Sequence, residues 1–237
     1  MNNLPTTINA KNKPHNFCAG CGHPIVLKAL GVAIEKMAIS DKTTIGLDIG
    51  CSLLAWDFFN LPTFQTHHGR TLSTILGYKI ASPNSVAIVY QGDGGAYAIG
   101  LQSLITSAHR DDPLTVIVVN NTLYAMTGGQ MAPTTVLGEK TTTTPRGRNI
   151  HQGKKFLGPE TLKNIASERA YLARGSVLDT LGLEAMIKKA IERQQQGHFA
   201  FVEVLSLCPT NWKTDAKESL AFYEELKQEY HLGELND

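Results

Sequence analysis

The sequence predicts an α/β fold in which a mostly parallel sheet is flanked by helices. Two near-continuous apolar runs, SVAIVY at 85–90 and LTVIVVN at 114–120, are typical of strands buried on both faces of a parallel sheet. Between them, residues 96–110 carry apolar side chains at helical spacing, so that strand, turn, helix and strand form one βαβ unit. The chain has 237 residues, of which 42% are hydrophobic, and this is enough for the core of one large domain.

The first elements place a cysteine where chemistry is expected. Apolar spacing predicts a helix over residues 24–38, with Pro24 in its first turn. A short strand over 43–50 follows and delivers Cys51 at its carboxyl end, the edge at which open α/β sheets place their functional groups. A further helix is predicted over 71–81.

The second half of the chain continues the alternation of helix and strand. Residues 131–160 are rich in Thr, Gly and Pro without periodicity, which predicts either an ordered functional loop or a mobile lid. The remaining predicted elements are a helix over 160–170, a strand over 170–177, an amphipathic helix over 183–195 and a strand over 199–206. This last strand leads directly to the fourth cysteine, Cys208.

Composition gives a single domain and excludes some partners. We expect residues 1–212 to form one domain and residues 213–237 to be a C-terminal tail used in subunit contact. A net charge of +1 without a long Lys/Arg block gives no general attraction to nucleic acid or to an anionic membrane. Because the N-terminal arm has no apolar leader and no apolar run is long enough to span a bilayer, we expect a cytoplasmic location.

A glycine turn after the strand at 85–90 predicts a phosphate site. In GDGG (92–95), backbone N–H groups can approach a phosphate at the start of the following helix. Asp93 would then face an anion, and Mg²⁺ would resolve the conflict because it binds carboxylate, amide and phosphate oxygens. Alone, such an aspartate is often only a helix cap. The next strand supplies further ligands at its end, Asn120 and Asn121.

GDG followed after twenty-five residues by NN resembles the thiamine diphosphate–magnesium motif, and the chain is identified as a member of that superfamily. The resemblance implies that Asp93, the Asn121 side chain and the backbone carbonyl of Leu123 bind Mg²⁺. It also implies that Gly92 and Gly94 allow the backbone to close on the diphosphate.

Four cysteines follow the pattern C-x2-C-x29-C-x156-C, formed by Cys18, Cys21, Cys51 and Cys208. A thioredoxin-type dithiol would need only the first pair, and a zinc ribbon would repeat the CxxC, so the pattern indicates a Cys₄ site for Zn²⁺ or [4Fe–4S]. The thiamine motif favours the cluster. Decarboxylation of a 2-oxo acid leaves an electron-rich carbon, which an adjacent one-electron acceptor can oxidise and zinc cannot.

Further motifs resemble the β subunit of 2-oxoacid:ferredoxin oxidoreductases over about residues 16–212. They are FCAGCGH, GC at 50–51, HHGR at 67–70, YQGDGG, NNTLYAMTGGQMAPTT, KTTTTPRGR and VEVLSLCPTNW. The chain is most similar to the branch that acts on 3-methyl-2-oxobutanoate and 2-oxoglutarate. The resemblance implies that the four cysteines hold a [4Fe–4S] cluster near the thiamine. Ala19 and Gly95 depart from the usual CPGCGH and GDGD, and Gly95 puts the fine geometry of the turn in question.

The implied activity is coenzyme A-dependent oxidative decarboxylation of a 2-oxo acid to acyl-CoA and CO₂, with electrons passed to ferredoxin. A branched-chain substrate is favoured, with 2-oxoglutarate or pyruvate as alternatives. Two other classes remain open from the residues: a non-oxidative thiamine decarboxylase with structural zinc, and a non-catalytic subunit used in assembly or electron relay.

One required group is missing from the motifs. Thiamine activation needs a carboxylic acid on the aminopyrimidine, and a domain of this length has room only for the diphosphate half. The resemblance places that glutamate in an α subunit, alongside γ and ferredoxin-like δ subunits. The alternative is a complete homo-oligomer in which Glu35 serves, although Glu35 has the position of a solvated helix residue.

A second set of residues is assigned with the support of the resemblance. His67, His68 and Arg70 lie in a loop, where histidines are often only surface groups; the resemblance supports catalytic roles for His68 and Arg70. Tyr124 and Thr127 lie close to the metal loop, where they are predicted to contact the cofactor together with the glycines of the GDGG turn, Gly95 included. The alternatives are a core aromatic residue and a tight turn.

Overall fold

A computed structural model describes residues 4–11 and 14–235; the outermost residues of the predicted domain and tail, 1–3 and 236–237, lie outside it, as do 12–13. The strands are β1 (Thr43–Leu47), β2 (Thr63–Gln65), β3 (Val86–Gly92), β4 (Thr115–Asn120), β5 (Leu123–Tyr124), β6 (Gln130–Met131), β7 (Tyr171–Ser176), β8 (Ala200–Leu205) and β9 (Gly233–Glu234). The α-helices are α1 (His23–Lys36), α2 (Thr71–Ala81), α3 (Leu101–Arg110), α4 (Gly158–Lys163), α5 (Thr180–Gln195), α6 (Pro209–Trp212) and α7 (Ala216–Glu229).

The main sheet has the order β2-β1-β3-β4-β8-β7-β9, and every pair except β7 with β9 is parallel. The predicted α/β class is therefore confirmed. Strands β3 and β4 are direct neighbours, with Gly92 paired to Val119. Because parallel strands end at the same edge, this register brings the residue after β3 beside the end of β4.

Helices cover both faces of the sheet. Alternate residues of one strand point to opposite faces, so that Ile88 belongs to one core and Val89 to the other. Helices α1, α5 and α7 pack on the first face, and α2, α3 and α4 pack on the second. The near-continuous apolar strands predicted from sequence reflect this burial on both sides.

The predicted helix over 96–110 begins differently from the prediction. Residues Gly95–Ile99 form a π-helical turn before α3, and the Gly100 N–H donates to the Gly95 carbonyl at 2.9 Å. Gly100 approaches Gly69 closely, since a Cβ there would lie 2.9 Å from the Gly69 carbonyl oxygen. The wider turn therefore lets the HHGR loop contact the glycine turn.

The predicted helix over 160–170 is shorter than expected. Helix α4 ends at Lys163, and a turn at Ser167 follows: its hydroxyl accepts from the Arg169 N–H and its carbonyl accepts from the Ala170 N–H. Serine side chains compete with helical hydrogen bonds in this way. The turn redirects the chain into β7.

Residues 213–237 were expected to be a tail, and most of them pack on the domain. Helix α7 buries Tyr223 and Leu226, Tyr230 is also fully buried, and β9 adds to the sheet next to β7. A role of this segment in subunit contact stays a prediction. Among the residues that the structure describes, no helix combines the length and apolar character needed to cross a lipid bilayer.

Candidate active site

A cavity of about 280 Å³ opens at the carboxyl ends of β1, β3 and β4. It brings together many residues that the sequence singled out from separate motifs. Those that line it are Cys51, His68, Gly92, Asp93, Gly95, Asn121, Leu123, Tyr124 and Thr127. The grouping follows from the topology, because the carboxyl ends of adjacent parallel strands meet at one edge.

Asp93 is a buried carboxylate at this edge. It is 2% exposed, with Oδ1 accepting from the Gly94 N–H at 2.9 Å and Oδ2 accepting from the Thr134 hydroxyl. Burial, together with a smaller effect of the nearby Glu203, raises the pKa of Asp93 to about 7. A divalent cation would reverse both effects, so the carboxylate fits a magnesium site.

The other two predicted magnesium ligands line the same cavity. The Asn121 side chain is almost fully buried, and its Oδ1 accepts from the Leu123 N–H at 3.3 Å. Thr122 between them has a left-handed φ of 66°, which produces a sharp turn. Carboxylate, amide and carbonyl oxygens are the donor set that Mg²⁺ prefers.

The glycines of the turn have different surroundings. No atom lies within 4 Å of the position a Cβ would occupy at Gly92, so this glycine borders open space that suits a phosphate. At Gly94 a Cβ would lie 2.2 Å from Cε1 of Tyr124. Gly94 is thus needed for Tyr124 to pack against the turn.

The two predicted catalytic residues are placed differently. His68 lines the cavity, with Nδ1 2.9 Å from the Ile49 carbonyl oxygen. Arg70 lies outside the lining, and its guanidinium donates to the Ile99 carbonyl at 3.0 Å. Thr127 donates its hydroxyl to the Gln130 side chain within its own turn at 2.6 Å. The functional roles of these residues stay predictions.

The four cysteines are free thiols that approach one another from three loops. Gly20 has a φ of 75°, and a Cβ there would lie 3.1 Å from Pro209 Cγ, so the CxxC turn packs beside Cys208. Burial raises the pKa of Cys51 to about 12, and the other three cysteines contribute to the same rise. Such mutual electrostatic effects require the thiols to be near neighbours.

Four thiolates can bind either a zinc ion or an iron–sulfur cluster. No three His, Cys, Asp or Glu side chains of the described ranges, 4–11 and 14–235, lie close enough to enclose a single metal ion. Thiolates around one zinc ion lie about 2.3 Å from the metal and therefore close together. In a [4Fe–4S] cluster each thiolate binds a different iron, which keeps the sulfur atoms farther apart. The four thiolates are therefore a donor set that fits a [4Fe–4S] cluster.

The segment after Cys208 connects the thiols to the predicted magnesium loop. Trp212 donates its indole N–H to the Asn121 carbonyl at 3.1 Å. Asn211 donates to the Ala125 carbonyl at 3.1 Å and lies 3.7 Å from the Cys208 sulfur. The two halves of the site are therefore held by one short helix, α6.

Of the predicted segment 131–160, residues 131–157 precede α4 and are densely hydrogen-bonded, which favours the ordered-loop alternative over a mobile lid. The buried Arg148 side chain donates to the carbonyls of Pro133, Thr135 and Lys154. This arrangement presents Thr134 to Asp93. Sequence reasoning missed Thr134, because a threonine in an aperiodic loop carries no local pattern.

A buried charged network behind the site was also missed. Arg174 on β7 and Glu203 on β8 are fully buried and lie 2.6 Å apart, from Nε to Oε1. Glu203 also accepts from Asn120 at 3.3 Å and from the Tyr97 hydroxyl. Charged residues within apolar strands were the available signal, since buried charges are normally paired.

Asp48 is a further residue that sequence reasoning missed. It follows β1 directly and is fully buried, and burial raises the pKa of its carboxyl. Its position matches that of Asp93 after β3, and an acid at the end of a buried strand was the signal that could have identified it.

Comparison with known proteins agrees with this geometry. Residues 48–204 match the family described as thiamine pyrophosphate enzyme, C-terminal TPP binding domain. The ketoisovalerate oxidoreductase subunit VorA of Methanothermobacter thermautotrophicus is 39% identical over 94% of this chain and 48% of the relative. The chain thus spans about half the length of that relative.

Other relatives are matched over more of their length. The 2-oxoglutarate synthase subunit KorB of Methanocaldococcus jannaschii is 39% identical over 83% of this chain and 70% of the relative. The 2-oxoacid:ferredoxin oxidoreductase subunit beta of Saccharolobus solfataricus is 36% identical over 93% of this chain and 69% of the relative.

A solved structure shares the fold. The 2-oxoglutarate:ferredoxin oxidoreductase of Magnetococcus marinus, with 2-oxoglutarate, coenzyme A and succinyl-CoA bound, superposes with a TM-score of 0.81 at 25% identity, covering 95% of this chain and 74% of that chain. Because the family model matches residues 48–204 and relatives at least 36% identical cover most of the chain, the chain belongs to the β-subunit family of 2-oxoacid:ferredoxin oxidoreductases, within the thiamine diphosphate superfamily.

Proposed function

We propose that this chain binds thiamine diphosphate through Mg²⁺ and carries a [4Fe–4S] cluster in a 2-oxoacid:ferredoxin oxidoreductase. The enzyme would convert a branched-chain 2-oxo acid and coenzyme A to acyl-CoA and CO₂, with electrons passed to ferredoxin. One observation carries the proposal: Cys51 lines the same cavity as Asp93 and Asn121, so the redox and cofactor sites adjoin.

The chain's own residues would either hold the metal ion and the cluster or shape the space around the diphosphate. Asp93, the Asn121 side chain and the Leu123 carbonyl would hold Mg²⁺, and the four cysteines would hold the cluster. Gly92 leaves room beside the diphosphate, while Gly94 allows Tyr124 to pack close to it. Gly95 lines the same cavity, but the Asp48 carboxylate fills the space beside it. Tyr124 and Thr127 would contact the cofactor. Bound thiamine diphosphate supplies the carbon nucleophile for decarboxylation.

The residues of the cavity support the need for a second chain. No glutamate lines the cavity within the part of the chain that the structure describes. Glu35, the internal alternative, is on α1 and accepts from the Thr6 backbone N–H at 2.7 Å, away from the lining. The activating glutamate would therefore come from an α subunit, with γ and δ subunits and ferredoxin as further partners. We place the complex in the cytoplasm, where thiols stay reduced.

The lining also supports the choice of substrate. Ile49, Val119 and Met126 give the cavity apolar walls, which suit a branched aliphatic chain. No Lys or Arg of the described residues lines it, and the second carboxylate of 2-oxoglutarate would need such a partner.

An anaerobic assay of the complex tests the proposal. The chain is co-expressed with its α, γ and δ partners, and ferredoxin reduction is measured with 3-methyl-2-oxobutanoate, 2-oxoglutarate and pyruvate, with and without coenzyme A. We expect thiamine- and coenzyme A-dependent reduction, fastest with the branched-chain acid. Turnover that releases aldehyde without reducing ferredoxin, together with bound zinc, would instead identify a non-oxidative decarboxylase.

A further inference from the structure

The two oxygens of the buried Asp48 carboxylate differ in their hydrogen bonds. Oδ1 accepts from the Gly69 N–H at 2.7 Å and from the Thr71 hydroxyl at 3.1 Å. Oδ2 accepts no hydrogen bond from any residue that the structure describes, although Asp48 is fully buried. A buried acceptor without a hydrogen bond is costly, so such an atom usually has a role at a site.

The unpaired oxygen faces the cavity-lining histidine and the glycine turn. It lies 3.3 Å from His68 Nδ1. A Cβ at Gly95 would lie only 2.0 Å from it. The carboxylate therefore occupies the space that any side chain at position 95 would fill. It can enter that space because Gly95 has no side chain.

His68 is held on one side only. The Ile49 carbonyl, which can only accept, lies 2.9 Å from Nδ1, and this contact together with the Asp48 carboxylate places the ring proton on Nδ1. The ring also meets Tyr124 edge-on, with centroids 6.2 Å apart. The opposite nitrogen, Nε2, then has a free lone pair for a ligand in the cavity.

We propose that Asp48 is a positioning residue that acts through His68. It fixes the proton on Nδ1 and the orientation of the ring, and Gly95 is required to admit it. Its effect on turnover rests on the proposed function. A side chain at position 95 is thus incompatible with the observed position of the Asp48 carboxylate.

The first test measures turnover in the co-expressed complex. In Asp48→Asn the amide oxygen can still accept from Gly69 and Thr71, so the local fold is kept while the charged acceptor beside His68 is lost. We expect kcat/KM for the 2-oxo acid to fall roughly 10- to 100-fold, the usual effect of removing a partner that orients a functional histidine. The melting temperature and thiamine affinity should stay unchanged.

A double-mutant cycle separates positioning from a purely structural role. His68→Ala should lower kcat/KM at least as much as Asp48→Asn, and adding Asp48→Asn to His68→Ala should cause no further loss. Losses that add would overturn the proposal. Asp112→Asn is the matched control, because Asp112 is also a buried, hydrogen-bonded carboxylate but lies at the opposite end of the sheet. Its kcat/KM should equal that of the wild type.

A relocated carboxylate tests the coupling with Gly95. Gly95→Asp alone should reduce activity, because its side chain overlaps Asp48 Oδ2. Combining it with Asp48→Gly should recover most of the activity lost in either single variant. A double variant that is no more active than the less active single variant would show that the side chains at positions 48 and 95 do not share one space.

A readout that needs neither thiamine nor substrate completes the test. In the ¹⁵N-histidine-labelled full chain, the His68 signal is assigned by its loss in His68→Ala. We expect nitrogen shifts of an Nδ1-protonated ring in the wild type and a changed tautomer balance in Asp48→Asn. An unchanged His68 signal would overturn the proposal even in an active enzyme, while an inactive wild-type complex would count against the proposed function alone.

Discussion

Asp93 is a buried carboxylate whose surroundings favour its neutral form. Burial and the nearby Glu203 both raise its pKa, while hydrogen bonds from Gly94 and Thr134 hold the side chain in one orientation. A carboxylate that is held in one orientation, but whose charged form is disfavoured by its surroundings, is expected where a cation completes the site. At the scale of single residues, this makes Asp93 the most direct test of the predicted magnesium site.

Replacing Asp93 by Asn should weaken thiamine diphosphate binding in Mg²⁺ by about 100-fold or more, since loss of a metal ligand costs at least as much as loss of a partner that orients one. Titration calorimetry with the cofactor and Mg²⁺ measures the change. Asp112→Asn serves as control and should bind as the wild type does. Equal affinities for Asp93→Asn and the wild type would exclude Asp93 as a ligand.

The two glycines beside Asp93 should respond differently to substitution by alanine. Gly94→Ala would place a Cβ against Tyr124 and should lower the free energy of unfolding by about 1 to 3 kcal/mol, the usual cost of overpacking. Gly92→Ala meets no atom and should leave stability unchanged but weaken thiamine diphosphate binding. Denaturant unfolding and calorimetry measure the pair; a stable Gly94→Ala variant would contradict the described packing.

Regular elements were predictable from sequence, and irregular segments were not. Strands β3, β4, β7 and β8 and helices α2 and α5 follow from apolar patterns, and the ends of β3 and β4 placed Asp93 and Asn121 correctly at one edge. The loop at 131–157 has no periodicity, because the Arg148 side chain holds its backbone carbonyls through contacts that are not local in sequence. Thr134 was missed for the same reason, whereas Asp48 was missed although it directly follows a buried strand.

The loop at 131–157 should make stability depend on pH through Glu139. Burial raises the pKa of Glu139 to about 8, while Thr122 and the Val136 N–H bind its oxygens. Between its unfolded value and pH 8 the folded state holds the proton more tightly, so stability falls as pH rises through this window, by at most roughly 1.4 kcal/mol per pH unit.

Glu139→Gln should flatten this dependence. Melting temperatures of the reduced, metal-free chain between pH 5 and 8 give the measurement, with the exposed Asp41→Asn as a control that keeps the wild-type slope. A slope in Glu139→Gln as steep as in the wild type would show that another group is responsible.

The candidate active site lies at one edge of the sheet of the whole molecule and is open to solvent. Ile49, Ile99 and Met126 are apolar side chains exposed by 40 to 48% at or beside the cavity. An exposed apolar rim around a cavity is typical of a surface that another chain covers. This agrees with an activating glutamate supplied from outside the chain.

The central claim is that the thiols and the thiamine site act as one redox unit. Electron paramagnetic resonance of the anaerobic complex tests it most directly, after addition of 3-methyl-2-oxobutanoate and coenzyme A in the presence of thiamine diphosphate and Mg²⁺. We predict the signal of a reduced [4Fe–4S] cluster in the wild type and its absence in Cys51→Ser and in Asp93→Asn. A wild-type complex that binds zinc in place of iron, or a cluster that substrate leaves oxidised, would contradict the account.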